Sequence, residues 1–366
     1  MNIQKIALNG FRNYDWETAE FAPGTNVISG QNAQGKTNLL EAVYMLSCGR
    51  SFRTRFDREL VGFGFSEAQI LAEIISHGRN QTIDIRLRPG QTKKILVNGV
   101  RKTGGELAEV VNTVLFCPDD LNLIKEGAAV RRRLMDNAIS QIRPRYGEIL
   151  SQFNRLYEHK TRILKDWREK PSLLETLDEF SDGMARASAQ LIRYRAAFAA
   201  RLNQAAPPIH RAFSGEDEAL SIAYQTVSTV RDVTASSREI YYDICEHQEK
   251  HRQAELDSGQ CLTGAHKDDL DISINGRPAR SFASQGQTRT AALSLKLAER
   301  EIFLAETGEY PILLLDDVLS ELDRKRQEFV LNRIGGGQTL ITCCEDAEIS
   351  SRTGGKVLFV EKGRIR

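Results

Sequence analysis

Residues 30–37 read GQNAQGKT, and no other run in the chain restricts its fold so severely. The run lies between an apolar strand that includes Val27 and Ile28 and a helix from about Lys36. In that helix Leu39, Leu40, Val43 and Leu46 recur at helical spacing. Glycines at both ends let a strand turn sharply into a helix, so that successive backbone N–H groups converge on one point. The helix adds its N-terminal partial positive charge to the same point. A GxxxxGK[ST] pattern in this setting is a phosphate cradle. Lys36 sets a cation against β- and γ-phosphates, and Thr37 offers a hydroxyl to Mg²⁺. Gly30, Gln31, Asn32, Ala33, Gln34, Gly35 and Asn38 complete the candidate nucleotide-binding loop.

A second run fits the first. Residues 312–323 read ILLLDDVLSELD, four apolar residues of a buried strand followed at its end by two carboxylates. Asp316 is the candidate for the Mg²⁺ shell, and Asp317 for the base that polarises an attacking water. The alternative is a strand ending in an ordinary Asp-rich turn. Asp323 lies about a helical turn further on and cannot reach the same metal. A third run, residues 281–300, reads SFASQGQTRTAALSLKLAER, a Ser-Gln-Gly-Gln turn leading into a helix. A serine hydroxyl and free N–H groups at a helix start form another phosphate-binding device. One ATP does not need two cradles from one chain, whereas two facing subunits would use both.

The bulk numbers exclude little but agree. The chain has 366 residues, 41% hydrophobic and 27% charged, with a formal net charge of +1, so any polyanion surface must be local. No run of apolar residues is long enough to span a membrane. The first residues lack the pattern of a secretory signal, which leads to the expectation of a cytoplasmic protein. The six cysteines form no CxxC pair, and are expected to be small buried residues rather than disulfides or zinc ligands.

Periodicity divides the chain. Up to about Pro118 short β-type runs alternate with turns, Asn98-Gly99 among them. From about Arg131 to Gly259 long amphipathic helices take over. One carries a stripe from Tyr146 to Trp167; the next carries Leu177, Phe180, Met184, Ala187, Leu191, Tyr194 and Phe198 at alternating steps of three and four. Pro207-Pro208 should end that helix. The two helices would form either a short coiled-coil arm or a bundle, and in both cases an all-helical middle domain. After Gly259 the α/β character returns. The expectation is a split α/β domain, residues 1–125 and 260–366, with a helical domain, 126–259, inserted. Within it, residues 131–170 hold eleven Lys/Arg against five Asp/Glu, a local basic excess suited to phosphate backbones. A solvated helix face is the alternative.

The order of these motifs resembles the ABC-type ATPases, and their detail the RecF family in the SMC-like branch. SQGQ stands in place of the transporter LSGGQ. Further matches are GFRNY, GRSFRT, FCPDDL, VRRRLMD and GAHKDDL, spread from residue 10 to about 345. The resemblance implies an ABC/SMC-type P-loop head with an inserted helical arm, dimerising head-to-head around two ATP molecules. In that scheme Ser284, Gly286 and Gln287 touch the partner's nucleotide, and Ser320 and Asp323 belong to a loop crossing the interface. Arg12 and Arg53 resemble arginines that reach nucleotide or DNA, though surface arginines are common. The resemblance further implies slow, DNA-stimulated ATP hydrolysis, binding to gapped or ss/dsDNA, and action with RecO and RecR to load RecA.

Three departures from the wider ABC pattern accompany it. Asp317 replaces the usual Glu. Residues 339–345, TLITCCE, place Thr342 or Cys343 where a switch His is usual. Asp119 and Asp120 lie where a Q-loop glutamine is expected, and no role is assigned to them. His266, Lys267 and Asp268 form a polar cluster that reads equally as a structural turn. Arg131, Arg132 and Arg133 read as partners for acids on a neighbouring helix. A transporter ATPase subunit would want LSGGQ, a switch His and a shorter helical segment. A long-armed SMC clamp would need more than the fewer than 260 residues between the phosphate loop and SQGQ.

Overall fold

The computed structural model describes residues 1–214, 217–227, 229–344 and 352–366. Glu345, the last residue of the TLITCCE run, lies outside them. The chain forms two compact units, residues 1–121 with 296–366, and residues 122–295.

The first unit holds two six-stranded sheets. One is a run of antiparallel pairs, β2 (Tyr14–Glu20), β1 (Asn2–Phe11), β4 (Ala68–Ser76), β5 (Arg79–Leu87), β6 (Lys94–Val97) and β7 (Val100–Arg101). Its strands alternate buried and exposed residues; in β1 Ile6 and Leu8 are buried with Ala7 less so. Asn98 and Gly99, at φ 50 and 80, make the tight turn between β6 and β7. The other sheet has a parallel core. Its order is β15 (Arg364–Ile365), β14 (Lys356–Glu361), β3 (Thr25–Ser29), β13 (Thr339–Cys343), β12 (Ile312–Asp316) and β8 (Thr113–Phe116), with β15 antiparallel at one edge. The central strands β12 and β13 are buried at every residue, which explains the apolar run Ile312, Leu313, Leu314 and Leu315 of β12 and the pair Leu340 and Ile341 of β13. Helix α1 (Lys36–Cys48) packs on this sheet, and one apolar core runs from Ile6 and Ile70 through Leu39 and Val43 to Leu314 and Leu340.

The second unit was expected to be all-helical and is not. Its helices are α2 (Ala128–Ile142), α3 (Pro144–Asp166), α4 (Leu177–Ser214) and α5 (Ser237–Ser258). Between α4 and α5 lies strand β9 (Leu220–Gln225), which pairs antiparallel with β10 (Asp269–Ile274); β11 (Arg277–Pro278) completes the sheet. This pairing draws residues 260–295, expected in the α/β domain, into the second unit. Helix α4 packs against α3, α5 and β9. The seam residues Met184, Ala187 and Leu191 are buried, and so are Ala185, Ala189 and Ile192, which face the α5 cluster. Helix α4 is thus the centre of a bundle rather than half of a two-helix arm.

Helix α4 also runs through Pro207-Pro208 instead of ending there. Each proline removes an N–H and crowds the carbonyl four residues back, at about 3 kcal/mol. Burial of Ile209, His210 and Phe213 beyond the prolines offsets that cost, and Ile222 N of β9 donates to Asn203 Oδ1 at 2.8 Å. Three α-helices remain among the described residues. α6 (Ala279–Phe282) precedes α7 (Gln285–Thr307), whose residues from Lys296 belong to the first unit; α8 (Arg324–Arg333) follows β12.

Candidate active site

The phosphate loop leaves β3 at Gly30 and enters α1 at Lys36. A Cβ on Gly30 (φ 154) would lie 2.2 Å from the Val360 carbonyl oxygen, and one on Gly35 (φ 121) 2.7 Å from the Asn13 amide. Only glycine fits either position. Ala33 also takes the left-handed conformation, at φ 64. Three other segments brace the loop. Asn13 Nδ2 donates to Gln34 O and Tyr14 Oη to Gly35 O, both at 2.9 Å. Burial raises the Tyr14 phenol, which therefore stays a neutral donor. From the β14–β15 turn, Lys362 N donates to Gln34 Oε1 and Gly363 N to Gln34 O. The Cys344 thiol donates to Asn32 Oδ1 at 3.1 Å. Lys36 Nζ sits inside the curl of the loop, donating to the carbonyls of Gly30 and Gln31 at 2.5 and 3.0 Å.

The strands deliver the acids beside this loop. Parallel pairing sets Asp316 at the end of β12 opposite Thr342 of β13. Thr37 Oγ1 donates to Asp316 Oδ1 at 2.9 Å and Thr342 Oγ1 to the same oxygen at 3.0 Å. Thr342 Oγ1 in turn accepts from Asp317 N at 2.8 Å. Asp317 has φ 53, unusual for a non-glycine residue, and its carbonyl accepts from Ser320 Oγ at 2.6 Å. The Asp316 carboxyl is raised above the usual carboxylate range by burial, against which the Thr37 and Thr342 bonds work.

Whether these groups suit Mg²⁺ can be judged from their bonding. Thr37 gives its proton to Asp316, which leaves its oxygen lone pairs available, and Asp316 Oδ2 takes no hydrogen bond among the described residues. A buried carboxylate with a raised pKa gains from a nearby cation. No cluster of three His, Cys, Asp or Glu occurs among the described residues, so an ion here must complete its shell with water and phosphate oxygens. That is the habit of Mg²⁺. The residues fit.

Other expected residues have different surroundings. Arg12 forks onto both oxygens of the buried Glu41, at 2.8 and 2.7 Å, and donates to the Glu59 carbonyl. Arg53 donates to Asn38 Oδ1 at 2.7 Å, and Ser51 also donates to Glu41. Glu41 thus gathers the FRN and SFRT motifs against α1. Sequence reading missed it, although a lone acid on an otherwise apolar helix face was the available signal. It also missed the two roles of the Thr342 hydroxyl. Asp323 caps α8, accepting from Arg326 N at 3.0 Å. Asp120 accepts from Cys117 N, and burial pushes the Cys117 thiol up to about 12. The six cysteines are all free, but only Cys261 and Cys343 are fully buried, and Cys344 is exposed beside Lys36.

In the second unit the SQGQ run is the start of α7 itself rather than a turn before it. Ser284 Oγ accepts from Gln287 N at 3.2 Å, and Gln287 Oε1 accepts from Ser284 N at 2.8 Å, a reciprocal cap. Gly286 lies in the first helical turn. Gln287 Nε2 donates to Glu218 Oε1 at 2.9 Å, and Glu218 meets the buried His210 at 2.9 Å. The GAHKDDL cluster is structural. Asp268 accepts from Arg195, Tyr224 and Thr226, and Arg131 forks onto Asp269 of β10 rather than onto a helix. His266 Nε2 meets the Cys261 carbonyl at 3.0 Å, and burial lowers its pKa to about 4.

Among known proteins, the family model for the RecF/RecN/SMC N-terminal domain matches residues 2–359. The DNA replication and repair protein RecF of Acetivibrio thermocellus is 39% identical, over all of this chain and 99% of its own length. That of Alkaliphilus oremlandii is 38% identical, over the whole of both. A solved structure of the recombination mediator protein RecF-ATPrS in the RecFOR pathway matches with TM-score 0.92 at 34% identity, covering all of this chain and 97% of that one. An Smc head domain from Pyrococcus furiosus shares the fold, with TM-score 0.58 at 16% identity over all of this chain and 95% of that one.

Proposed function

The chain belongs to the RecF family of DNA replication and repair proteins, built on an ATP-binding head of the SMC type, and on that premise we propose that it is an ATP-driven DNA clamp. The observation that carries this reading is the node at Asp316, where Thr37 of the phosphate loop and Thr342 of the next strand meet one carboxylate oxygen. A second phosphate-type helix start, at Ser284, occurs elsewhere in the same chain.

In this reading the loop amides and Lys36 hold the β- and γ-phosphates, and Thr37 with Asp316 holds Mg²⁺, which when bound neutralises phosphate charge. Asp317 takes a proton from the water that attacks the γ-phosphorus, and ADP leaves with its oxygen. Asp317 is one methylene shorter than glutamate and no histidine follows β13, so turnover is slow. Ser284, Gly286 and Gln287 close on the nucleotide of a second copy, and Ser320 and Asp323 lie at the same interface. ATP would thereby time the grip on DNA, and hydrolysis its release. Of the basic excess at 131–170, Arg131 and Lys160 are spent in buried ion pairs, while Arg155, Arg162 and Arg168 of that stretch are exposed and suited to phosphates at a gapped or ss/dsDNA junction. Partners would be those of the RecFOR pathway, RecO and RecR, with RecA loading as the outcome.

The test is solution mass with ATP, with ADP and with gapped DNA, for wild type and Lys36→Met. The expected result is an ATP-specific doubling of mass and co-elution with DNA, both lost in the folded variant. ATP-dependent DNA retention by Lys36→Met would overturn the proposal.

A further inference from the structure

In the first unit, residues 53–65 read RTRFDRELVGFGF, arginines interleaved with three exposed phenylalanines, Phe56, Phe63 and Phe65. Phe65 N donates to Gly62 O at 3.1 Å, closing a four-residue turn with Phe63 and Gly64 at its tip. Gly64 takes φ 85, a value that suits glycine at the third position of such a turn. The base of the turn is fixed. Gly62 N donates to Gly10 O and Arg12 N to Leu60 O, both at 2.8 Å. The Phe65 ring lies across Gly10, where a Cβ would come within 2.8 Å of it. Phe63, at the tip, is fully exposed.

Cations stand on both sides of this turn. Before it, Arg55 and Arg58 are exposed. Arg58 lies over the Phe56 ring, 5.2 Å from its centroid, and the Arg55 guanidinium has no hydrogen bond or ion pair among the described residues. The nearby acids are engaged elsewhere: Asp57 pairs with Lys93 at 2.9 Å, and Glu59 takes the Thr54 hydroxyl. After the turn, a cavity of about 260 Å³ opens where Glu67, Arg86, Arg88, Lys94 and Arg101 come together. Glu67 pairs with Arg88, and Asp84 with Arg86. Lys94 and Arg101 are left without an ion pair among the described residues. Lys94 moreover stands directly opposite Arg86 in the β5–β6 ladder, a like-charge placement that costs stability. The two groups of cations adjoin the turn, since Glu67 lies two residues beyond Phe65 and Lys93, which holds Asp57, is next to Lys94.

A bare phenylalanine between cations that meet no acid does nothing for the fold, and matches a ligand at once flat, apolar and anionic. DNA supplies phosphates on both flanks of every base step; a protein would need acids on both flanks of an aromatic socket. We infer that this turn is a wedge. Phe63 stacks on the last base pair of a duplex where it gives way to single strand, and Arg55, Arg58, Lys94 and Arg101 hold the phosphates on either side. The inference rests on the DNA-binding reading above and adds which feature of DNA the first unit recognises. At a junction the last base pair offers a bare face, whereas insertion inside a duplex must first unstack two pairs. The wedge therefore discriminates against unbroken duplex, and it does so without reading sequence, because every base has a flat face. The hairpin that holds the turn continues into Asn13 and Tyr14, which brace the phosphate loop, so the wedge is tied to the nucleotide site.

The experiment uses the full chain with ATP and two DNA probes: covalently closed duplex, and gapped duplex with 2-aminopurine as the first unpaired base beside the junction. Wild type should raise the 2-aminopurine fluorescence, because the inserted ring separates that base from the duplex. Phe63→Ala should abolish the rise and weaken gapped-DNA binding about tenfold, Phe63→Trp should restore both, and closed-duplex affinity should stay within about twofold. Lys94→Ala with Arg101→Ala should lower the slope of log affinity against log salt by about 1.8, two phosphate contacts fewer. Unchanged fluorescence, affinity and slope in folded variants, with wild type still binding gapped DNA in ATP, would overturn the wedge and leave the clamp reading intact. Equal losses on gapped and closed DNA in Phe63→Ala would also overturn it, since the contact would not then be specific to a junction. Absence of any ATP-dependent DNA binding by wild type would overturn both readings. Unchanged DNA binding by Phe63→Ala together with lost binding to purified RecR would make the turn a protein-docking site, and overturn the wedge as well.

Discussion

Thr342→Val removes one oxygen and keeps the shape of the side chain. That hydroxyl donates to Asp316 Oδ1 at 3.0 Å and accepts from Asp317 N at 2.8 Å, and Thr342 is 1% exposed. Valine leaves a buried carboxylate short of one donor and a backbone N–H without an acceptor. Each costs about 1–3 kcal/mol, so the first unit should lose roughly 3 kcal/mol of stability. The Asp316 pKa should rise further, because a bond favouring its ionised form is gone. Apparent Mg²⁺ affinity in ATP binding should then fall as the pH is lowered, more steeply than in wild type. Urea unfolding gives the stability, and nucleotide binding titrated with Mg²⁺ at several pH values gives the rest. Hydrogen exchange at the Asp317 amide should quicken, and Thr342→Ser should restore all three. A Thr342→Val protein with wild-type stability, Asp317 protection and Mg²⁺ dependence would refute the assignment of the hydroxyl.

Gly30→Ala puts a Cβ within 2.2 Å of the Val360 carbonyl and should reduce ATP affinity at least about tenfold, read by nucleotide titration, with the second unit unaffected. Asp317→Asn should bind ATP and stay dimeric, since it keeps Asp316 and loses the base; a dimer lifetime after ATP dilution equal to wild type would place the base elsewhere. His266, lowered to about 4 by burial, is neutral in the fold but protonates near 6.5 when unfolded. Its contribution is therefore full above pH 6.5 and is lost as pH falls towards 4, by about 3 kcal/mol. Asp268, raised to about 6 by burial, works in the opposite sense, losing its contribution as pH rises through 6. The difference between wild type and His266→Phe isolates the histidine, and equal acid slopes in urea unfolding would contradict its burial as the cause.

The glycine loop between β3 and α1 and the two acids at the end of β12 were readable as contiguous runs, because the backbone geometry of each is local. Of the first sheet, the Asn98-Gly99 turn and the β character of its strands were readable, but not which strands pair. The middle unit misled at β9. Buried Leu220 and Ile222 alternate with exposed Ser221 and Ala223, but only the serine is polar, the strand has six residues and its partner, β10, lies more than forty residues away, so no local signal announced the pairing. That same pairing moved the boundary from 260 to 295. The prolines of α4 misled because helix propensity is local, whereas the packing that carries the helix past them is tertiary. At the site, Thr342 and Glu41 were hidden for a related reason. Thr342 matters through strand register, which sets it opposite Asp316, and Glu41 through two arginine motifs that only the fold brings to α1.

The central claim is that each nucleotide is held by Lys36 of one copy and Ser284 of the other. Lys36→Met alone and Ser284→Ala alone should each be inactive, since every site in either homodimer has a damaged half. When the two are mixed in equal amounts and exchange freely, about half the dimers are mixed, and each then has both lesions in one site and the other site whole. The measurement is the ATPase rate of that mixture, with mixed dimers verified by tagged pull-down. Recovery to about a quarter of the wild-type rate is the predicted result. No recovery, with mixed dimers present, would contradict a shared site and return Ser284 to its own chain.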